Sequence, residues 1–203
     1  MAERADLHPF EHGVTWVMRE WMRRGSHAVK ADGKVWLIDP VDVPEAIEAA
    51  RALGEFGGVI QLLDRHPRAC RALAEHYGIP FFRLPDELPI PGVQVFSVLR
   101  GKYWNERALW FPDTGTLVVA EVLGTNQYYA LAKNPVGVHP MLRGITRAKV
   151  GDHLPVQHLL VGHGAPVHTD AAQLIATAYQ RRLRDLPLIP RGLRAFVGTG
   201  SQK

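Results

Sequence analysis

Residues 57–63 place the strongest constraint on the fold. Val59, Ile60, Leu62 and Leu63 form an apolar run far too short to cross a bilayer and suited to a strand buried on both faces. Such a strand needs a covering layer on each side, and its neighbours supply candidates. Upstream, Asp42 is a plausible N-cap, with Pro44 and Glu45 in the first turn of a helix running to about Gly54. Ile47, Ala50 and Leu53 recur along it at helical spacing, and Gly57-Gly58 reads as the stop before the apolar run. Downstream, a second helix is predicted from about Pro67 to Tyr77, closed by Gly78. Residues 79–82 then begin another strand.

Earlier in the chain, residues 26–31 and 34–38 flank Asp32-Gly33, a pair that supplies the positive φ angles of a tight hairpin. Asp39-Pro40 ends the second of these strands. Strand, helix, strand, helix, strand is an α/β order. The centre changes to short strands at 93–99, 107–111 and 116–121, the last two joined by Pro112-Asp113-Thr114-Gly115, which predicts a meander. Pro135, Gly137, Pro140 and Gly144 break up residues 126–151. A strand at 157–161 turns out through Gly162-His163-Gly164, and a final helix is expected over 170–186, with Leu174, Ala178 and Leu183 among its apolar positions.

With 203 residues, 46% of them hydrophobic and 22% charged, the chain has the means to bury a core, so disorder throughout is excluded. The expectation is one domain over 1–203, with a core from about 26 to 186 and a basic tail at 187–203. Glu3, Arg4, Asp6 and Glu11 precede any apolar stretch, so the start does not read as a secretory signal. Cys70 is the only cysteine, which excludes an internal disulfide and a cysteine-based zinc cluster. A cytoplasmic location with no membrane association is the natural expectation. The net charge of +4 gathers late, at Arg143, Arg147, Lys149, Arg181, Arg182, Arg184, Arg191 and Arg194. A solvated helix face and a basic tail account for that grouping better than a nucleic-acid surface.

Four segments, in order, carry a family resemblance. Lys34-Val35-Trp36-Leu37-Ile38-Asp39-Pro40 looks like a strand ending in Ile-Asp-Pro-Gly. Val59-Ile60-Gln61-Leu62-Leu63-Asp64-Arg65-His66-Pro67-Arg68-Ala69 resembles a strand and loop carrying His-x-His-x-Asp-His. Thr116-Leu117-Val118-Val119-Ala120-Glu121 is similar to a later strand ending in Gly-Asp. Leu159-Leu160-Val161-Gly162-His163-Gly164-Ala165-Pro166 resembles a Pro-Gly-His-Gly-x-Pro segment. Together they resemble the metallo-β-lactamase superfamily over roughly residues 26–186. The resemblance implies a four-layer αββα sandwich with its site at one edge between two sheets.

In that family the loop after the buried strand presents imidazoles and a carboxylate to two zinc or iron ions, which activate water and polarise substrate. On the alignment the resemblance implies, Asp64 takes the first histidine position and His66 the second. Arg68 replaces the aspartate and Ala69 the last histidine. Glu121 stands for the bridging aspartate, and Arg100 or Lys102 falls near a further histidine that has no counterpart. His66 and His163 alone match outright. Arginine is no ordinary metal ligand, so the expectation is that Arg68 substitutes for a metal's charge and pairs with Glu121 or Asp64.

Three functions follow. The first is a metal-free, non-catalytic or weakly catalytic protein binding a small anionic molecule through His66, Arg68, His163 and Arg100 or Lys102. The second is a hydrolase of ester, thioester, amide or phosphoester bonds using one zinc or iron ion held by Asp64, His66, Glu121 and His163. The third, ranked last, is a nucleic-acid-binding relative. Structural roles stand beside these. His66 or Asp64 could cap the Pro67 helix, and Cys70 is a small core residue.

Overall fold

The computed structural model describes residues 4–131, 133–144 and 149–190. Arg147, Arg191, Arg194 and most of the expected basic tail lie outside the described residues. In chain order the first half contains β1 (Ala5–Phe10), β2 (Gly13–Met18), β3 (Gly25–Ala31), β4 (Lys34–Ile38), α1 (Pro44–Arg51), β5 (Phe56–Gln61), α2 (Cys70–Tyr77) and β6 (Phe81–Arg83). The second half contains β7 (Gln94–Arg100), β8 (Asn105–Phe111), β9 (Thr116–Val119), β10 (Leu123–Gly124), β11 (Gly137–Val138), β12 (His158–Val161) and α3 (Ala171–Arg181). Strands β1 to β6 form one sheet in sequence order, antiparallel as far as β4 and parallel from β4 to β6. The second sheet runs β12-β9-β8-β7, with β12 parallel to β9.

Alternation along the strands builds the layers. Trp36, Ile38 and Ile60 face inward from the first sheet and meet Leu109, Phe111, Val118 and Leu160 of the second in one core. The intervening residues Val35, Leu37 and Val59 face the other way and pack with Ala46, Ile47, Cys70 and Leu73 of α1 and α2. On the far side Trp110, Leu117, Val119, Leu159 and Val161 meet Ile175, Ala178 and Tyr179 of α3. Three apolar layers between four structural ones make the αββα sandwich anticipated from sequence. Among the described residues no helix is long and apolar enough to cross a membrane.

Several boundaries differ from the sequence reading. The first sheet begins at Ala5 rather than near residue 26, because β1 and β2 pair ahead of the Asp-Gly hairpin. β1 was hard to see: it is an edge strand, only Ala5 is buried, and it contains Pro9. Gly57 and Gly58 lie inside β5 instead of stopping before it; a Cβ on Gly57 would come within 2.8 Å of the Trp36 indole. Asp42 does not cap α1, whose N-cap is Val43 without a side-chain bond. Helix α2 starts at Cys70 because Arg68 takes a positive φ of 39° that no helix accommodates. Neither Asp64 nor His66 caps it.

Candidate metal centre

The site lies where four strands end, two from each sheet. β4 and β5 are parallel neighbours, as are β9 and β12. Their C-terminal ends carry Asp39, the loop with His66, Glu121 and His163 to one edge of the sandwich. The sheets close on each other there: Gly25 N donates to Gly162 O at 2.8 Å, and Arg107 N donates to Leu62 O at 2.8 Å. Gly25 permits the approach, since a Cβ there would sit 2.3 Å from the Val161 carbonyl oxygen of the other sheet.

Hydrogen bonds fix both imidazoles. His66 Nδ1 lies 3.0 Å from Asp39 Oδ2, and a carboxylate only accepts, so Nδ1 donates. His163 Nδ1 lies 3.2 Å from the Met22 carbonyl and must donate as well. In the neutral rings each Nε2 therefore carries a bare lone pair. Both lone pairs face one oxygen of Glu121, with His66 Nε2 3.4 Å and His163 Nε2 3.6 Å from Oε1. His163 Nε2 is buried without a hydrogen-bond partner. His66, Glu121 and His163 form the one group of described residues whose metal-ligating atoms converge within 4.8 Å.

Three electron-rich atoms pointing at one another are stabilised by positive charge between them, whether a proton on a ring or a metal ion. A proton on His163 is disfavoured: burial lowers its pKa, opposed by Glu121 and reinforced by His66 and Arg68. Burial alone would raise the Glu121 carboxyl; hydrogen bonds and positive charge from His163 and His66 in their protonated forms hold it well below the usual carboxylate range, so the carboxylate favours positive charge at this spot. The separations of 3.4 and 3.6 Å are long for charge-assisted hydrogen bonds. They match the roughly 3.3–3.6 Å between neighbouring donors around a tetrahedral ion with bonds of about 2.0–2.2 Å. The residues present therefore fit a single zinc or iron ion, with Asp39 and the Met22 carbonyl orienting the two imidazoles.

Contacts behind the imidazoles hold Glu121 in place. Arg65 donates to its other oxygen, Oε2, at 2.6 Å and lies over the Trp104 ring at 4.0 Å. Trp104 Nε1 donates to Glu106 Oε2 at 3.0 Å, and Glu106 Oε1 accepts from the backbone N–H groups of Glu121 and Val122, both at 2.8 Å. Burial pushes the Glu106 carboxyl up to about 7 against those three donors. His139 packs on Trp104 at 4.9 Å and on Tyr128 and Tyr129 at 5.3 Å. Burial pushes its pKa down to about 4.

The residues anticipated from sequence divide clearly. His66, Glu121 and His163 come together. Asp64 does not join them: its Oδ2 accepts from Asn105 N at 3.0 Å, turned toward β8. Arg68 pairs with neither Glu121 nor Asp64, which corrects the expected ion pair. Its guanidinium donates to the carbonyls of Gly25, Asp39 (2.7 Å) and Gly162 (3.1 Å). Its charge lies beside the site while its N–H groups tie three element ends together. Arg100 donates to Ser97 Oγ at 2.9 Å and pairs with Asp86. Lys102 is exposed beside the Tyr103 ring. Sequence reasoning passed over Asp39, Arg65, Glu106 and His139 as site residues. The detectable signal was Glu106, an acid leading with Arg107 into the apolar run Ala108-Leu109-Trp110-Phe111.

No family model matches the sequence, and comparison with curated proteins finds no similar one. Comparison of structures is informative. DIM-1 metallo-β-lactamase aligns at a TM-score of 0.58 and 13% identity, covering 91% of this chain and 98% of that one. The diflavin flavoprotein A 5 fragment from Nostoc sp. PCC 7120 aligns at 0.59 and 16% identity, covering 91% and 98%. Rubredoxin oxygen:oxidoreductase from the anaerobe Desulfovibrio gigas aligns at 0.58 and 13% identity, covering 91% of this chain and 62% of that one.

Proposed function

We propose that this chain, which has the metallo-β-lactamase fold, is a hydrolase built around one metal ion held by His66, Glu121 and His163. The observation that carries the reading is the orientation of the imidazoles: Asp39 and the Met22 carbonyl each take an Nδ1 proton, leaving both Nε2 lone pairs aimed at Glu121 Oε1. A zinc or iron ion bound there would supply Lewis acidity and lower the pKa of a coordinated water.

The chain's own groups then have distinct tasks. Asp39 and the Met22 carbonyl hold the ring tautomers. Arg65 occupies Glu121 Oε2, leaving Oε1 for the ion. Glu106 anchors the backbone at Glu121, and Trp104 links it to Arg65. Esters, thioesters, amides and phosphoesters are the substrate classes to test.

The alternative is a metal-free binder of a small anion using His66, Arg68, His163 and Arg100 or Lys102. Arg68 faces carbonyls and Arg100 faces Asp86, which weakens that reading. The nucleic-acid reading loses Arg143, buried on the carbonyls of Val138 and Tyr129.

The test is hydrolysis of p-nitrophenyl acetate, a thioester and bis-p-nitrophenyl phosphate by protein purified without chelator. Turnover of at least one, abolished by chelator and by Glu121→Ala, is the expected result. Metal-replete protein inert toward all three bond classes would contradict a hydrolase.

A further inference from the structure

A second group of histidines gathers at the other end of β12. His158 opens that strand, five residues before His163, about 16 Å away along an extended chain. His8 lies in β1, His12 in the turn to β2, and His168 just beyond the Leu159–Val167 bridge. Three of these imidazoles, His12, His158 and His168, surround Phe10, and His8 lies close enough to act on His168. Its ring stacks on His168 at 5.0 Å and lies 5.2 Å from His158 and 6.2 Å from His12.

Two of these rings touch through nitrogen: His158 Nδ1 and His168 Nδ1 are 3.0 Å apart. The His12 ring is 5.7 Å from His158, and Glu11 lies 3.8 Å from His12. His8 contributes a buried Nε2 without a hydrogen-bond partner. Burial followed by repulsion from His12 lowers the pKa of His158, and burial followed by repulsion from His158 and His8 lowers that of His168. The pair is therefore neutral at pH 7, with one Nδ1 donating to the other. Lone pairs remain available to a Lewis acid.

We propose that His158 and His168 are the primary ligands of a second transition-metal site, completed by rotation of His12. A spacing of 3.0 Å between two ligand nitrogens suits adjacent positions on a tetragonal ion with bonds of about 2.0–2.1 Å. An all-imidazole set favours Cu(II), Ni(II) or Zn(II) over the hard cations that prefer oxygen. On binding, the ring whose Nδ1 carries the proton moves it to Nε2, so both Nδ1 atoms can ligate and no net proton is released. Because the third donor must turn in, affinity is lower than at a preformed triad. The bound ion ties the β1–β2 turn of one sheet to β12 of the other.

Titration of the full chain with CuCl2 at pH 7.5, read by calorimetry and by nitrogen hyperfine structure in the copper spin resonance spectrum, tests this. Wild type should bind two equivalents. Glu121→Ala should keep the imidazole-type signal of the second, and His168→Ala should weaken that second equivalent at least tenfold. His12→Gln, on an exposed turn, should weaken it less. Wild type binding a single equivalent, kept in Glu121→Ala and lost in His168→Ala, would count against the proposed hydrolase centre and leave this site standing. Unchanged copper binding in His168→Ala, or no imidazole signal in Glu121→Ala, would overturn it.

Discussion

Asp39 shows how one residue controls the centre. Its Oδ1 accepts from Leu62 N at 2.9 Å while Oδ2 takes the His66 proton. In Asp39→Asn the amide oxygen stays with Leu62, and the NH2 group turns to His66. Nδ1 must then accept, the ring changes tautomer, and Nε2–H points where a lone pair is needed. Metal affinity should fall about 10- to 100-fold with the fold retained, measured by competition against a chromogenic chelator. Arg68 is a separate case, since its role concerns folding. Arg68→Met strips donors from the Gly25 and Asp39 carbonyls and should cost about 3 kcal/mol, at 1–3 kcal/mol for each buried group left unsatisfied. Arg68→Lys should recover only part of this, because an ammonium lacks the fork that spans three acceptors. Urea denaturation of both variants checks it.

Elements were legible where local pattern and tertiary demand agree. The Asp32-Gly33 hairpin appears with both residues at positive φ, 49° and 70°, as the dipeptide requires. The meander is present as β7-β8-β9, and the fully buried β5 matches its apolar run. Misreadings fell where packing decides. Gly57 and Gly58 read as a break, yet they are strand residues kept small by Trp36 and Phe82. β10 and β11 were hidden because two-residue strands leave no periodicity. The Gly-His-Gly turn was legible as a place for a site, and Gly162 explains why. Gly162→Ala would drive its Cβ into the Ala120 carbonyl. It should destabilise by about 2–3 kcal/mol, as overpacking does, and displace His163 enough to abolish metal binding. Thermal melts paired with metal analysis test both effects.

Across the whole molecule, buried ionisable groups set the response to acid. Burial pushes His27 down to about 3 and His139 to about 4, against about 6.5 in the unfolded chain. The unfolded state therefore binds more protons below pH 6.5, so stability is full above that pH and declines as pH falls. Glu106 has the opposite sign: raised to about 7, it costs stability as pH rises from about 4.5. Two imidazoles outweigh one carboxyl, leaving about one net proton, or about 1.4 kcal/mol per pH unit. Metal-free protein should lose about 2 kcal/mol or more between pH 6.5 and 4.5 in urea denaturation; no loss would mean those imidazoles are not buried neutral. Only part of the centre was legible at this scale. His66, Glu121 and His163 sit at strand ends that a family resemblance can align, whereas Asp64 and Arg68 were assigned by position in a motif whose loop takes another path here. Nothing in a linear sequence places Glu106 under Glu121. The most direct test of the central claim is anomalous diffraction at the zinc and iron edges on crystals grown without chelator. The account predicts one ion bounded by His66 Nε2, His163 Nε2 and Glu121 Oε1, lost in Glu121→Ala. A pocket without metal in protein crystallised with a millimolar excess of zinc, or two ions with Arg68 swung away from its carbonyls, would contradict it.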